Sequence, residues 1–281
     1  MSESGGQPSA ISGLRRGSIL NLVGAATATV CTFGVATATT RALDQSHAGV
    51  VFVLTSAFLL LATVLRLGTP TALVLFIARG HDTDDARIRA LWLECRRYLL
   101  PLSLAGTVLG IVAAVSVDTL LPHSELSRSG RLMACLALIL PFAVILDAAL
   151  SVSRGQHRMA TTVRIERIAR PALQFLLTLA AVLWWPTVLG IGLAWALPYV
   201  PALAAAVRET PQLRPGPAAH LPEQERTELR SFLLVRTFVS ISQILFARLD
   251  VILVALLTTT AQAAIYTAAT RFVVVAQLVQ Q

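Results

Sequence analysis

Along the chain, polar connections separate eight apolar runs: Ser18–Thr40, Ala48–Ala78, Tyr98–Val117, Leu132–Val152, Thr161–Trp184, Thr187–Val207, Phe232–Leu257 and Ala261–Gln281. A helix needs about 20 mostly apolar residues to cross the hydrocarbon core of a bilayer. The two-residue alternation that a lipid-facing barrel requires is missing from the runs. The pattern therefore predicts an all-α polytopic membrane protein. The second run is too long for one straight crossing at about 1.5 Å per residue, so it must tilt or break. Its break is written as "RLGTP", with Arg66 first and Pro70 last. Proline has no N–H to give the carbonyl four residues back. That predicts a freed Arg66 carbonyl beside a guanidinium, an arrangement suited to a wet cavity.

The polar connections fix the orientation. Arg15 and Arg16, then Arg79, Arg87, Arg89, Arg96 and Arg97, then Arg154 and Arg158, then Arg208, Arg214, Arg226 and Arg230 occupy every second boundary. The alternate boundaries hold only Arg41, Arg128 and Arg131, diluted by Asp44, Asp118 and Glu125. Arginine accumulates on the cytoplasmic side, so the N-terminus is expected there. Trp184 and Trp185 beside Pro186 suit a turn at the outer interface. The longest polar connection, residues 208–230, is rich in Pro and Gly and reads as a cytoplasmic linker. The expected organisation is a cytoplasmic tail (1–17) that opens with the short disordered stretch "MSESGGQPSA", a six-helix lobe (18–207), the linker, and the first two helices of a second lobe (231–281). "ALDQSHAGVVFVLTSA" after the first helix is weakly echoed by "LLTTTAQAAIYTAATR" after the seventh, as if the pattern restarts. A second lobe of six would lack four helices here, so the chain reads as a piece of a longer protein.

Composition agrees with the pattern. Hydrophobic residues make up 55% and charged residues 14%, against about a quarter charged in soluble chains; mean hydropathy is +0.70. All 23 basic residues are arginine and the net charge is +8. In so apolar a chain that excess reflects topology, and no nucleic-acid partner is expected. Cys31 and Cys135 fall in apolar runs and read as small core residues.

Charge inside the runs carries the candidate chemistry. A central Arg or Asp costs about 2.5–3.5 kcal/mol on insertion scales, and such groups face a partner or a polar passage. On the seventh run Arg236, Ser240, Gln243 and Asp250 share one helical face, while Arg248 points elsewhere. Arg167, Arg170, Gln174 and Thr178 form a stripe descending from the cytoplasmic end of the fifth run, with Arg164 and Glu166 expected to pair locally. Asp147, Ser151 and Arg154 form a similar stripe on the fourth. Arg66 and, on the eighth run, Arg271 add buried cations. The candidate substrate-binding residues are thus Arg66, Arg167, Arg170, Gln174, Gln243, Arg248, Asp250 and Arg271. So many guanidinium groups suit an anionic ligand, since their forked donors match phosphate. No P-loop, zinc spacing or nucleophile elbow occurs in the sequence, so neither an enzyme nor a cofactor is expected.

Several segments carry a family resemblance. "RRGS" before the first helix, Ala48–Gly49 opening the second, "RLGTPTAL" within it, "SRGQHR" after the fourth and "FARLDVILVALLTTTAQAAIYTAATR" resemble polysaccharide flippases of the multidrug/oligosaccharidyl-lipid/polysaccharide exporter superfamily. The resemblance implies two six-helix lobes and alternating access in the bacterial plasma membrane. It implies a substrate too, an undecaprenyl-diphosphate-linked oligosaccharide carried from the inner to the outer leaflet, with polysaccharide assembly enzymes as further partners. A drug/cation antiporter of the same superfamily is one alternative, with Asp147 or Asp250 coupling the ion. A membrane glycan polymerase or ligase is the other, although it would normally have a larger outer loop.

Overall fold

The computed structural model describes residues 7–80, 84–120 and 130–257. The chain divides into two compact units between Leu233 and Leu234. Among the described residues six helical stretches are long and apolar enough to span a membrane. They are Ser18–Ala42, Gln45–Leu65, Asp85–Val117, Gly130–Gly155, Met159–Trp184 and Val188–Glu209. The protein is a multi-pass, all-α membrane protein.

Helix α1 (Gln7–Ala42) begins earlier than the expected disordered tail allows, taking in the good helix formers Ala10 and Leu14. Its apolar face is largely uncovered, with Leu22, Val30 and Phe33 exposed. It packs on the fifth span at Gly24, where an added Cβ would meet Val163 Cγ1 at 2.6 Å and Arg167 Cβ at 3.1 Å.

The second run does break. Helix α2 (Gln45–Leu65) and helix α3 (Thr69–Ala78) flank a kink with Leu67 at φ 49° and Gly68 at φ 66°. Glycine adopts that left-handed backbone without penalty, and Pro70 sits in the first turn of α3, where no N–H is missed. The Arg66 carbonyl is not freed, however. The Thr69 N–H donates to it at 2.9 Å, so the kink satisfies its own backbone.

Helix α4 (Asp85–Leu120) and helix α5 (Gly130–Gly155) follow, the latter at the centre of the unit. It packs against α2, α3 and α4 and against two later helices, α8 (Val188–Ala196) and α9 (Tyr199–Glu209). Leu132, Leu140, Val144, Leu150 and Val152 are fully enclosed. Thr107 of α4 donates across the interface to the Ala137 carbonyl at 2.9 Å, a small polar tie of the kind that holds helices together in lipid. Cys95 is the fully buried cysteine; Cys31 and Cys135 are only half-buried.

The fifth span is composite: α6 (Met159–Thr162), a π-helical segment Val163–Ala169, and α7 (Arg170–Trp184). Pro171 accounts for part of this, since it offers no N–H to the preceding turn. The Arg170 N–H reaches the Ile165 carbonyl instead, five residues back. Trp185, Pro186 and Thr187 then make the turn, and the Thr187 hydroxyl caps α8 by accepting from the Gly190 N–H at 3.1 Å.

The linker is strapped down rather than free. Arg89 donates to the carbonyls of Arg214 and Pro217, Gln212 Nε2 to Asp85 Oδ1 at 2.7 Å, and the Ala219 N–H to the Ala86 carbonyl at 3.0 Å. Helix α10 (Glu223–Leu257) follows, and its start is held by ion pairs. Glu228 pairs with Arg79 at 2.9 Å, and Arg230 with the buried Glu94 at 3.0 Å. Arg79, Arg89, Arg214 and Arg230 thus share one end of the unit, as the positive-inside rule requires. Cysteines placed at Asp84 or Pro215, with the three native cysteines replaced by alanine, should react with an impermeant thiol reagent only after the membrane is opened. One at Thr187 should react in intact cells, and the reverse pattern would invert the orientation.

Candidate functional site

Asp147 sits eight residues, about 12 Å, before the end of α5. Arg66, at the kink after α2, donates Nη1 to Asp147 Oδ2 at 2.6 Å. Arg154 donates Nη2 to Asp147 Oδ1 at 3.1 Å and to Ser151 Oγ at 2.7 Å. The stripe Asp147–Ser151–Arg154 is therefore one connected polar network, with Arg66 joined to it from α2. Its side chains are mostly enclosed: 15% of Asp147, 29% of Arg66 and 28% of Arg154 remains exposed. Breaking off at Arg66 turns its guanidinium sideways into the bundle, where the carboxylate offsets its charge.

The fifth span does not present a single stripe. An α-helix would align Arg167 with Arg170, Gln174 and Thr178, but the π-helical segment changes the register between the first two. Arg167 is exposed and donates Nη1 to Asn21 Oδ1 of α1 at 2.8 Å. Arg170 turns inward, donating Nη1 to the Tyr199 hydroxyl at 2.7 Å with its Cζ 4.8 Å from the centre of that ring. Gln174 is buried and donates Nε2 to the Trp195 carbonyl at 2.8 Å, sealing the stripe below Arg170. Arg164 reaches Glu209 at 2.9 Å instead of pairing with Glu166. Residues two apart on a helix do not face each other, which is why the local pair fails.

Tyr199 is a site residue that the sequence reading missed. It is 5% exposed and is clasped by Phe58 and Trp195 at centroid distances of 5.5 and 5.9 Å. In sequence it is one aromatic in an apolar run; only packing puts a cation on its face.

Two cavities meet these groups. A small one, about 100 Å³, is bordered by Arg66, Asp147, Glu166, Arg170 and Tyr199. A larger cleft of about 700 Å³ lies between α1 and the π-helical segment, bordered by Asn21, Arg154, His157, Glu166 and Arg167. Glu166 borders both. The Nε–H groups of Arg154 and Arg170 are buried without a protein acceptor, so each guanidinium keeps donor capacity in reserve.

At the opposite end, a cleft of about 610 Å³ is bordered by Asp44, His47, Arg131, Trp185 and Thr187. Hydrogen bonds from Ser46 and then from the His47 ring hold the Asp44 carboxyl down at about 2. Stability linked to that group is present above its unfolded value and is lost only as pH falls through about 2. Gln243, Arg248 and Asp250 lie along α10 with their side chains outside the described set, and Arg271 lies outside the described residues.

Residues 14–280 match the polysaccharide biosynthesis protein family. The chain belongs to that family, whose members are generally transporters rather than enzymes. No curated protein and no solved structure matches it.

Proposed function

We propose that the protein carries a polyprenyl-diphosphate-linked oligosaccharide from the inner to the outer leaflet of a bacterial plasma membrane by alternating access. Charge balance at the two adjoining cavities carries the reading. Four guanidinium groups (Arg66, Arg154, Arg167, Arg170) meet two carboxylates (Asp147, Glu166). The surplus of two positive charges equals the two negative charges of a diphosphate esterified at both ends. The cleft beside Arg167 has room for such a group at about 700 Å³, whereas the inner cavity at about 100 Å³ does not. Passage then requires the Arg66–Asp147 contact to separate, and the kink at Leu67–Gly68 is where α2 and α3 can move apart.

The antiporter reading asks for a carboxylate open to a cation, and Asp147 is already shared by two arginines. Partner glycan-assembly enzymes would supply the lipid-linked saccharide at the cytoplasmic face and use it at the other. Binding to the protein in nanodiscs tests the need for a second phosphate. Polyprenyl diphosphate should bind about ten-fold more tightly than polyprenyl monophosphate, the second phosphate gaining charge-assisted hydrogen bonds. Equal binding of the two lipids would remove the diphosphate from the proposal.

A further inference from the structure

Helix α5 ends in a turn that glycine normally closes. The Arg158 N–H donates to the Ser153 carbonyl at 2.9 Å and the His157 N–H to the Arg154 carbonyl at 3.0 Å. This pair of bonds is the Schellman arrangement, and its left-handed residue is usually glycine. Here that residue is His157, at φ 58°. A side chain in that backbone region costs about 1 kcal/mol, more than glycine would. Histidine therefore stands where the fold alone favours a residue with no side chain.

The imidazole has somewhere to go. His157 borders the cytoplasmic cleft together with Arg154, Arg167, Asn21 and Ser18, with Glu166 as the carboxylate there. Arg167 is anchored on Asn21, and Arg154 on Asp147 and Ser151. Both guanidinium groups thus approach the cleft from fixed positions on its walls, and His157 approaches from the loop at its rim. Strained backbone clusters at ligand sites, so a residue that is both strained and lines a cavity is a candidate for a binding side chain.

We propose that His157 is a specificity residue of this cleft, its ring N–H donating to a phosphate oxygen of the lipid-linked diphosphate while Arg154 and Arg167 supply the charge. The proposal rests on the diphosphate reading of the cleft given above. Arginine alone would attract any anionic headgroup. A directional donor at the rim favours a ligand with a second phosphate within reach.

His157→Gly separates the two roles because it suits the backbone and removes the ring. Its melting temperature in detergent should equal or exceed that of the parent, while affinity for polyprenyl diphosphate falls about ten-fold, the loss expected of one hydrogen bond to a charged group. Polyprenyl monophosphate should lose less, so the preference between the two lipids narrows. His157→Asn, which tolerates the same backbone and keeps a donor, should retain part of the preference. A lower melting temperature for His157→Gly would show the residue to be structural and overturn the proposal. Unchanged diphosphate affinity in His157→Gly beside weakened binding in Arg167→Ala would overturn it while leaving the diphosphate reading intact. Unchanged affinity in both variants would overturn the diphosphate reading itself.

Discussion

Asp147→Ala is expected to lower stability by about 3 kcal/mol and to remove nearly all transport. The mutation leaves Arg66 and Arg154 facing a site they enter only because the carboxylate is there. Removing one partner of an enclosed ion pair costs far more than the pair contributes, since the remaining charge has lost both water and counter-charge. Arg154 retains the Ser151 hydroxyl and lies close to the end of α5, so most of the penalty falls on Arg66. The double variant Arg66→Met with Asp147→Leu replaces the pair with apolar groups of similar size. It should recover most of the lost stability and membrane abundance, because no unpaired charge is left. Transport should stay low in that variant, because the cation is gone from the passage. Thermal denaturation and export assays at matched abundance check both halves. Full transport by the double variant would reduce Arg66 and Asp147 to packing.

The second large effect belongs to the fifth span. If these arginines meet the diphosphate as proposed, Arg167→Ala with Arg170→Ala should reduce transport more than about a hundred-fold, two charge-assisted contacts being lost together. Single lysine substitutions should differ from each other. Arg170 lies over the Tyr199 ring and bonds its hydroxyl, a use of planarity that an ammonium cannot copy. Arg170→Lys should therefore lose about ten-fold. Arg167 is exposed and its guanidinium bonds the Asn21 side chain without stacking on a ring, so Arg167→Lys should lose about three-fold. Lysine satisfies the positive-inside rule as well as arginine does, so a purely topological role predicts full activity for both. Export rates at equal membrane abundance decide it, with thiol labelling at Thr187 and Pro215 confirming that the orientation has not changed.

Much of this was legible in the chain because lipid imposes simple rules. Run length marked the six spans found among the described residues, and "RLGTP" marked the kink. Steps of four and three placed Asp147, Ser151 and Arg154 on one face, and they do form one network. The rest was hidden where the backbone changes or where distant elements meet. A 3.6-residue repeat run through Val163–Ala169 puts Arg167 and Arg170 together, and the π-helical turns before Pro171 part them. Pro70 removes one donor, yet the Thr69 N–H supplies the Arg66 carbonyl from one residue earlier. Pro and Gly in residues 208–222 foretold irregular backbone, but irregular backbone can still be fastened, as Arg89 and Asp85 show. Arg66 with Asp147, Arg164 with Glu209 and Arg170 with Tyr199 join helices distant in sequence, and nothing in local spacing pairs them.

Translocation in liposomes tests the central claim most directly. Labelled polyprenyl-diphosphate oligosaccharide would be placed in both leaflets, and the fraction reached over time by an impermeant glycan-cleaving enzyme would be followed. With the protein present that fraction should rise from about half to nearly all, while the Arg167→Ala, Arg170→Ala variant at equal amount stays near half. A rise no faster than in protein-free liposomes, or an equal rise with the double variant, would contradict transport by way of these arginines.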